Sequence, residues 1–426
     1  MITKNIHINT FKIYNVILIL YLGGARMSKR YEELDSLRGL AALIVVIHHC
    51  LLTFTVFFAA YNHEFISSSI VRLLSNSPLH ILWAGSESVI LFFILSGFVL
   101  SLPFLNNKTT TYQSYFIKRV CRIYLPYIFT MILSILLFNL LEVDNPISSL
   151  SSWFNEMWST PLTFKSALSY LLMLGFDTHN FNTVTWSLIH EMRISIFFPL
   201  VMIPIMKYDW KKSLVIGLLT TYSLWFVFVV ASLVIKVDDL SFILKTIGDT
   251  FYYCSFFVIG AVFAKYKDSV KVFYNRQSTI SKTLIVIFAI LMYSIEWIVP
   301  GLGELKTSSG IYFIILRTFV NVCVTIAILI LFMFALNAVK FQNKLKNAKL
   351  VYLGKISYSL YLIHPIVILA SVYTLKGFLP IELIVVSVPF VSIIIASIMY
   401  KLIEEPSIGL GKKLIKKPQN KFEKSA

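Results

Sequence analysis

Apolar runs of nearly uniform length recur along this chain, separated by short polar breaks. Ten of them approach the ~20 residues that a spanning helix needs. They fall at about 39–60, 83–105, 123–142, 186–206, 212–236, 250–266, 281–299, 313–336, 356–376 and 380–403. The run at 250–266 is short for a span, and the stretch 168–175 reads as an extra re-entrant or interfacial piece. The pattern predicts an all-α fold: a polytopic membrane helical bundle of about ten transmembrane helices.

Composition agrees with the pattern. The 426 residues are 57% hydrophobic and 14% charged, with a mean hydropathy of +0.78, whereas a soluble domain carries about 25% charged residues. The lipid bilayer is therefore the first partner. Charge gives orientation, because lysine and arginine concentrate in cytoplasmic loops. Segments 1–38, 106–122, 207–212, 265–282, 337–355 and 404–426 lie on one side of a ten-span chain and hold 29 of the 38 Lys and Arg residues. The alternate loops hold six. Both termini are thus predicted cytoplasmic. The net charge of +17 is dispersed over these short loops, so it reads as topology signal and attraction to anionic lipid, not nucleic-acid binding. Cys50, Cys121, Cys254 and Cys323 lie in or beside apolar runs without paired spacing, which indicates neither a disulfide framework nor a metal site.

Three divisions follow: an N-terminal tail at 1–30, a membrane domain at 31–406 and a basic cytoplasmic tail at 407–426. Tyr14–Leu22 is apolar but too short to span. Met27 stands just before the first helix, so translation is expected to start there, with 1–26 as an extension. The longest break on the far side, about 143–185, carries Trp153, Trp158, Asp144, Glu156, Asp177 and His179. It reads equally well as a docking place for an acceptor and as an interfacial helix with aromatic anchors.

Polar residues inside apolar runs are costly and mark candidate chemistry. Arg38 and His49 are separated by ten residues. Eleven helical steps return to within about 20° of the same face and climb about 16 Å. Entry at Arg38 would place His49 near the bilayer midplane, above the arginine. Imidazole is the commonest general base, so His49 is favoured as base. His48, rotated by about 80°, is read as a packing or supporting residue. Glu191 lies in Trp186-Ser187-Leu188-Ile189-His190-Glu191-Met192-Arg193; Arg193 is assigned to helix pairing or snorkelling. Arg119 and Arg122 are i and i+3 neighbours before Leu125-Pro126. Arginine pairs suit phosphate clamps, although ordinary positive-inside charge explains them too. Ser96-Gly97 reads as a close helix contact. His364 lies in another run, within Ile356-Ser357-Tyr358-Ser359-Leu360-Tyr361-Leu362-Ile363-His364, and Glu404 precedes Pro406.

These motifs, in this order over about 31–406, resemble the integral-membrane acyltransferase family 3. The resemblance rests on Leu34-Asp35-Ser36-Leu37-Arg38-Gly39 with His49, Phe92-Phe93-Ile94-Leu95-Ser96-Gly97-Phe98, Arg119 with Arg122, Trp186-Ser187-Leu188 with Glu191, the run from Ile356 to His364, and Glu404 with Pro406. Ser36 and Lys118 depart from the residues common in that family. The resemblance implies O-acyl transfer, most often acetyl, from cytoplasmic acyl-CoA to a hydroxyl of a cell-surface glycan or glycolipid, at a bacterial inner membrane. On that basis His49 serves as base or transient acyl carrier, and Arg38 orients the donor or stabilises an oxyanion. Glu191 fixes a histidine tautomer or positions the acceptor. Arg119 and Arg122 hold acyl-CoA, and His48, Trp186, Ser187 and His364 are substrate-binding or supporting positions. A proton-coupled transporter or flippase of glycans or small molecules is the competing class, because buried His, Glu and Arg suit it as well.

Overall fold

The computed structural model describes residues 31–107, 111–143, 146–299, 302 and 311–415. The readings made of residues 1–30 and of the tail beyond 415 lie outside these. Ten principal helices follow in order: α1 (Glu32–Leu52), α2 (Gly85–Leu105), α3 (Tyr112–Leu140), α4 (Thr185–Lys207), α5 (Trp210–Val234), α6 (Asp238–Lys265), α7 (Thr279–Tyr293), α8 (Ile311–Asn337), α9 (Ala348–Leu375) and α10 (Ile381–Ile415). Among the described residues nine are long and apolar enough to cross a membrane, and α7 is a shorter apolar helix. No strand is formed among them; two isolated bridges are the sole β contacts there. The all-α polytopic bundle expected from the sequence is the fold.

Several boundaries differ from the apolar runs. The first helix begins at Glu32 and ends at Leu52, not at 60, so His49 lies in its last turn and not halfway along. Hydropathy missed this because Glu32, Glu33 and Asp35 sit in the first turn, where carboxylates complement the helix dipole. The run at 250–266 is the second half of a 28-residue helix, whose polar first half hid it. The 168–175 piece belongs to the short helix Phe164–Leu172. The division at 406 falls inside α10, which continues to Ile415.

Helix α9 is the centre of the bundle, with 83% of its apolar window buried, whereas α5 is only 11% buried and faces outward. Close crossings fix the inner layer. A Cβ added to Gly39 would stand 2.5 Å from the backbone nitrogen of Gly354, so α1 and α9 touch backbone to backbone. A Cβ on Gly97 would lie 2.2 Å from the carbonyl oxygen of Phe257, and one on Gly260 1.9 Å from that of Ile94. The close contact read at Ser96-Gly97 is thus the α2–α6 crossing, and small residues permit it. Ser36 Oγ donates to the Leu345 carbonyl at 2.6 Å, and Gly411 packs on Cys121. The described chain therefore starts and finishes at the same end of the bundle, the end that carries Arg38.

Candidate active site

Five helices converge on a cavity of about 80 Å³ at the Arg38 end. Its walls include Arg38 from α1, Ser96 from α2, Arg119 and Arg122 from α3, Glu191 from α4 and Tyr358 from α9. Two wide π-turns lie in the contributing and neighbouring helices, Val120–Tyr124 within α3, which gives Arg122 and Ile123 to the wall, and Tyr400–Glu404 within α10. A π-turn adds a residue to the helical ladder and commonly marks a functional position. Tyr358 Oη donates to the Ile123 carbonyl at 2.7 Å, and Ser359 Oγ donates to Glu404 Oε2 at 2.6 Å. Both turns are thereby fastened to α9. The first turn carries Arg122, so both arginines of the i, i+3 pair face the same space.

Charge in the cavity is unevenly engaged. Arg38 Nη1 meets Asp35 Oδ1 at 3.2 Å. Glu191 Oε1 accepts from Ser96 Oγ at 3.1 Å. Arg119 lies 5.8 Å from the Tyr115 ring centroid. Among the described residues neither Arg119 nor Arg122 is tied into an ion pair with a carboxylate. Two guanidinium forks that are not bound to protein carboxylates make a site for an anion, and phosphate suits their geometry.

The other end of α1 holds the histidines. His49 Nδ1 and His364 Nε2 are 2.7 Å apart, with rings stacked at 5.0 Å and 19°. His364 Nδ1 lies 3.1 Å from the Leu360 carbonyl, and a carbonyl can only accept. With both rings neutral, His364 carries its proton on Nδ1 and accepts at Nε2. His49 then donates from Nδ1, which leaves its Nε2 as a lone pair. This is the tautomer a general base requires. His48 is buried, with Nδ1 2.8 Å from the Trp83 carbonyl. Its ring fills the space that a Cβ at Gly85 would need, in keeping with a packing residue.

Ser187, Tyr361 and Phe92 lie between the two ends. Ser187 Oγ and Tyr361 Oη are 2.8 Å apart, and the Tyr361 ring meets Phe92 edge-on at 5.4 Å. These groups wall the arginine cavity. The Tyr361 ring is 6.1 Å from His364 on the other side. Above the histidines a strap from the 143–185 segment closes the site. Ser151 is bonded through its backbone N to the Thr53 carbonyl at 3.0 Å and through Oγ to that of Leu52 at 2.6 Å. Trp153 lies over His49 at 5.0 Å. Trp158, Met173 and Asp177 in this segment adopt left-handed φ of 49°, 51° and 56°, a costly conformation outside glycine that surrounding contacts must hold.

Some sequence readings are redistributed by this arrangement. Glu191 lies with the arginines, and the ring partner of His49 is His364, not Glu191. Trp186 packs on Tyr253 at 5.5 Å and is absent from the cavity wall. Arg193 donates to the Thr246 carbonyl and Thr250 Oγ1 of α6 at 3.2 and 3.3 Å, and to the carbonyls of Met173 and Leu174 at 3.0 and 2.9 Å, so it ties α4 to α6. Tyr361 and Trp153 were missed as site residues. The spacing Ser357, Tyr361, His364 (i, i+4, i+7) is one helical face and could have exposed the first. Nothing local in the sequence marks Trp153, because the strap folds over His49 through contacts far apart in the chain.

The long apolar helices among the described residues define an integral, multi-pass membrane protein. Residues 31–401 match the acyltransferase 3 family model, described as an acyltransferase domain. The chain belongs to that family and is a membrane acyltransferase, which weighs against the transporter reading. No curated protein and no solved structure matches the chain.

Proposed function

We propose that the protein transfers an acetyl group from acetyl-CoA to a hydroxyl of a cell-surface glycan or its lipid-linked precursor, from a bacterial inner membrane with both termini in the cytoplasm. One observation carries this reading: an arginine cavity and a base-ready histidine stand at opposite ends of one helix face. Arg38 and His49 are about 16 Å apart along α1. That separation is too great for Arg38 to meet an oxyanion formed at His49. It is of the order of an extended pantetheine arm, whose phosphates Arg119, Arg122 and Arg38 would hold. The Ser187–Tyr361 pair must part to let the arm through.

His49 Nε2 takes the proton of the acceptor hydroxyl as the oxygen attacks the thioester carbonyl. A C–O bond forms, the C–S bond breaks, and the departing thiolate receives the proton from His49. His364 acts through His49 by holding the Nδ1 proton. Purified protein with acetyl-CoA should release free CoA when acceptor glycolipid is supplied. Failure to bind or turn over any acyl-CoA would remove the proposal.

A further inference from the structure

A large recess among the described residues lies apart from the arginine cavity and shares no lining residue with it. It is a groove of about 940 Å³ between α5 and α6 on one side and α7 and α8 on the other. Its walls are apolar almost throughout, with Leu214, Phe263, Phe273, Leu284, Phe288 and Ile330 prominent. The volume lies in the upper part of the range of small-molecule sites, roughly 300–1,000 Å³.

Helix α7 packs along α8 and leaves another face to this groove. Its 15 residues span only about 22 Å, short of the ~30 Å hydrocarbon core. None of its residues is buried; Ile280, Leu284 and Phe288 are 75%, 60% and 46% exposed. A helix of a packed bundle ordinarily buries one face. Here that face, through Leu284, Ile285 and Phe288, looks into the recess.

The mouth of the groove sets the chemistry of the occupant. It opens beside the short helix Lys267–Arg276 and the start of α5. Lys211, Lys212, Lys271 and Arg276 are exposed there. The nearby acids are engaged: Asp209 Oδ1 caps α5 by accepting from Lys212 N at 3.0 Å, and Asp268 lies 3.6 Å from Lys267 Nζ. Lys211 lies over the groove-lining Trp210 ring at 5.5 Å, and these four exposed cations beside an apolar slot complement a negative headgroup above two hydrocarbon chains.

We propose that this groove binds one anionic, two-chain phospholipid from the leaflet at the Arg38 end, whose acyl chains supply a packing partner for that face of α7. The claim is independent of acyl transfer. Native mass spectrometry of the detergent-purified protein, titrated with phosphatidylglycerol or phosphatidylcholine of equal chain length, tests it. One lipid should be retained, with phosphatidylglycerol preferred roughly tenfold or more. Lys271→Glu with Arg276→Glu should erase that preference while both lipids still bind. Ile285→Trp with Ile330→Trp should fill the slot and reduce retention of either lipid. Equal retention of the two lipids by the unaltered protein overturns the proposal. So does a dimer that the filling pair dissociates, since the occupant would then be a second copy. If the filling pair does not fold, as judged by loss of a single elution peak, the exposed charge pair still decides.

Discussion

In the proposed mechanism His364 sets the proton position of His49. Its Nδ1 is committed to the Leu360 carbonyl, so its Nε2 dictates where His49 keeps its proton. Substituting His49→Ala should abolish transfer at unchanged membrane abundance. For His364→Ala, kcat should fall roughly 100-fold, the low end of general-base contributions, with KM for acyl-CoA nearly unchanged. His364→Gln offers a carbonyl acceptor in place of Nε2 and should recover part of kcat; a merely structural role would not show that rescue. At the other end, Arg119→Ala with Arg122→Ala should raise KM for acyl-CoA at least tenfold, the loss expected for charged hydrogen bonds, while kcat holds. Unchanged donor affinity would return both arginines to simple topology signals. The one-face relation of Arg38 and His49 was legible in the sequence because both stand on one regular helix. The His49–His364 contact was not, because 315 residues separate the partners.

Elements bring these residues together through glycine crossings and π-turns. The α2–α6 crossing admits no side chain at Gly97 or Gly260, since the added atom would meet backbone. Gly260→Leu should therefore cost roughly 1–3 kcal/mol or more, the usual penalty of overpacking. Thermal unfolding followed by size-exclusion chromatography should show the lower midpoint, and an unchanged midpoint would refute so tight a crossing. Ten elements were readable as apolar runs. The start of α6 was not, because Asp238, Asp239, Lys245 and Asp249 dilute its hydropathy. The start of α1 was hidden by the acids of its first turn. The π-turns were hidden as well, since their cause is contact with α9 and not local propensity.

The whole molecule is a helical bundle with an arginine-lined cavity at one end of α1, a histidine pair at the other, and a strap over His49. If the arginine end is cytoplasmic, a single cysteine placed at Lys118 should react with an impermeant maleimide only after the cells are opened. One at Ser152 should react in intact spheroplasts; the reverse pattern would invert the topology. The charge split between alternate loops is the sequence basis for expecting this orientation, whereas the strap over His49 required the fold. The central claim is that His49 activates a glycan hydroxyl toward an acetyl donor. The most direct measurement is mass spectrometry of surface glycans from cells carrying the gene, lacking it, or carrying His49→Ala at equal protein level. The expected result is an acetyl increment in the first alone. An increment retained with His49→Ala would contradict the assignment.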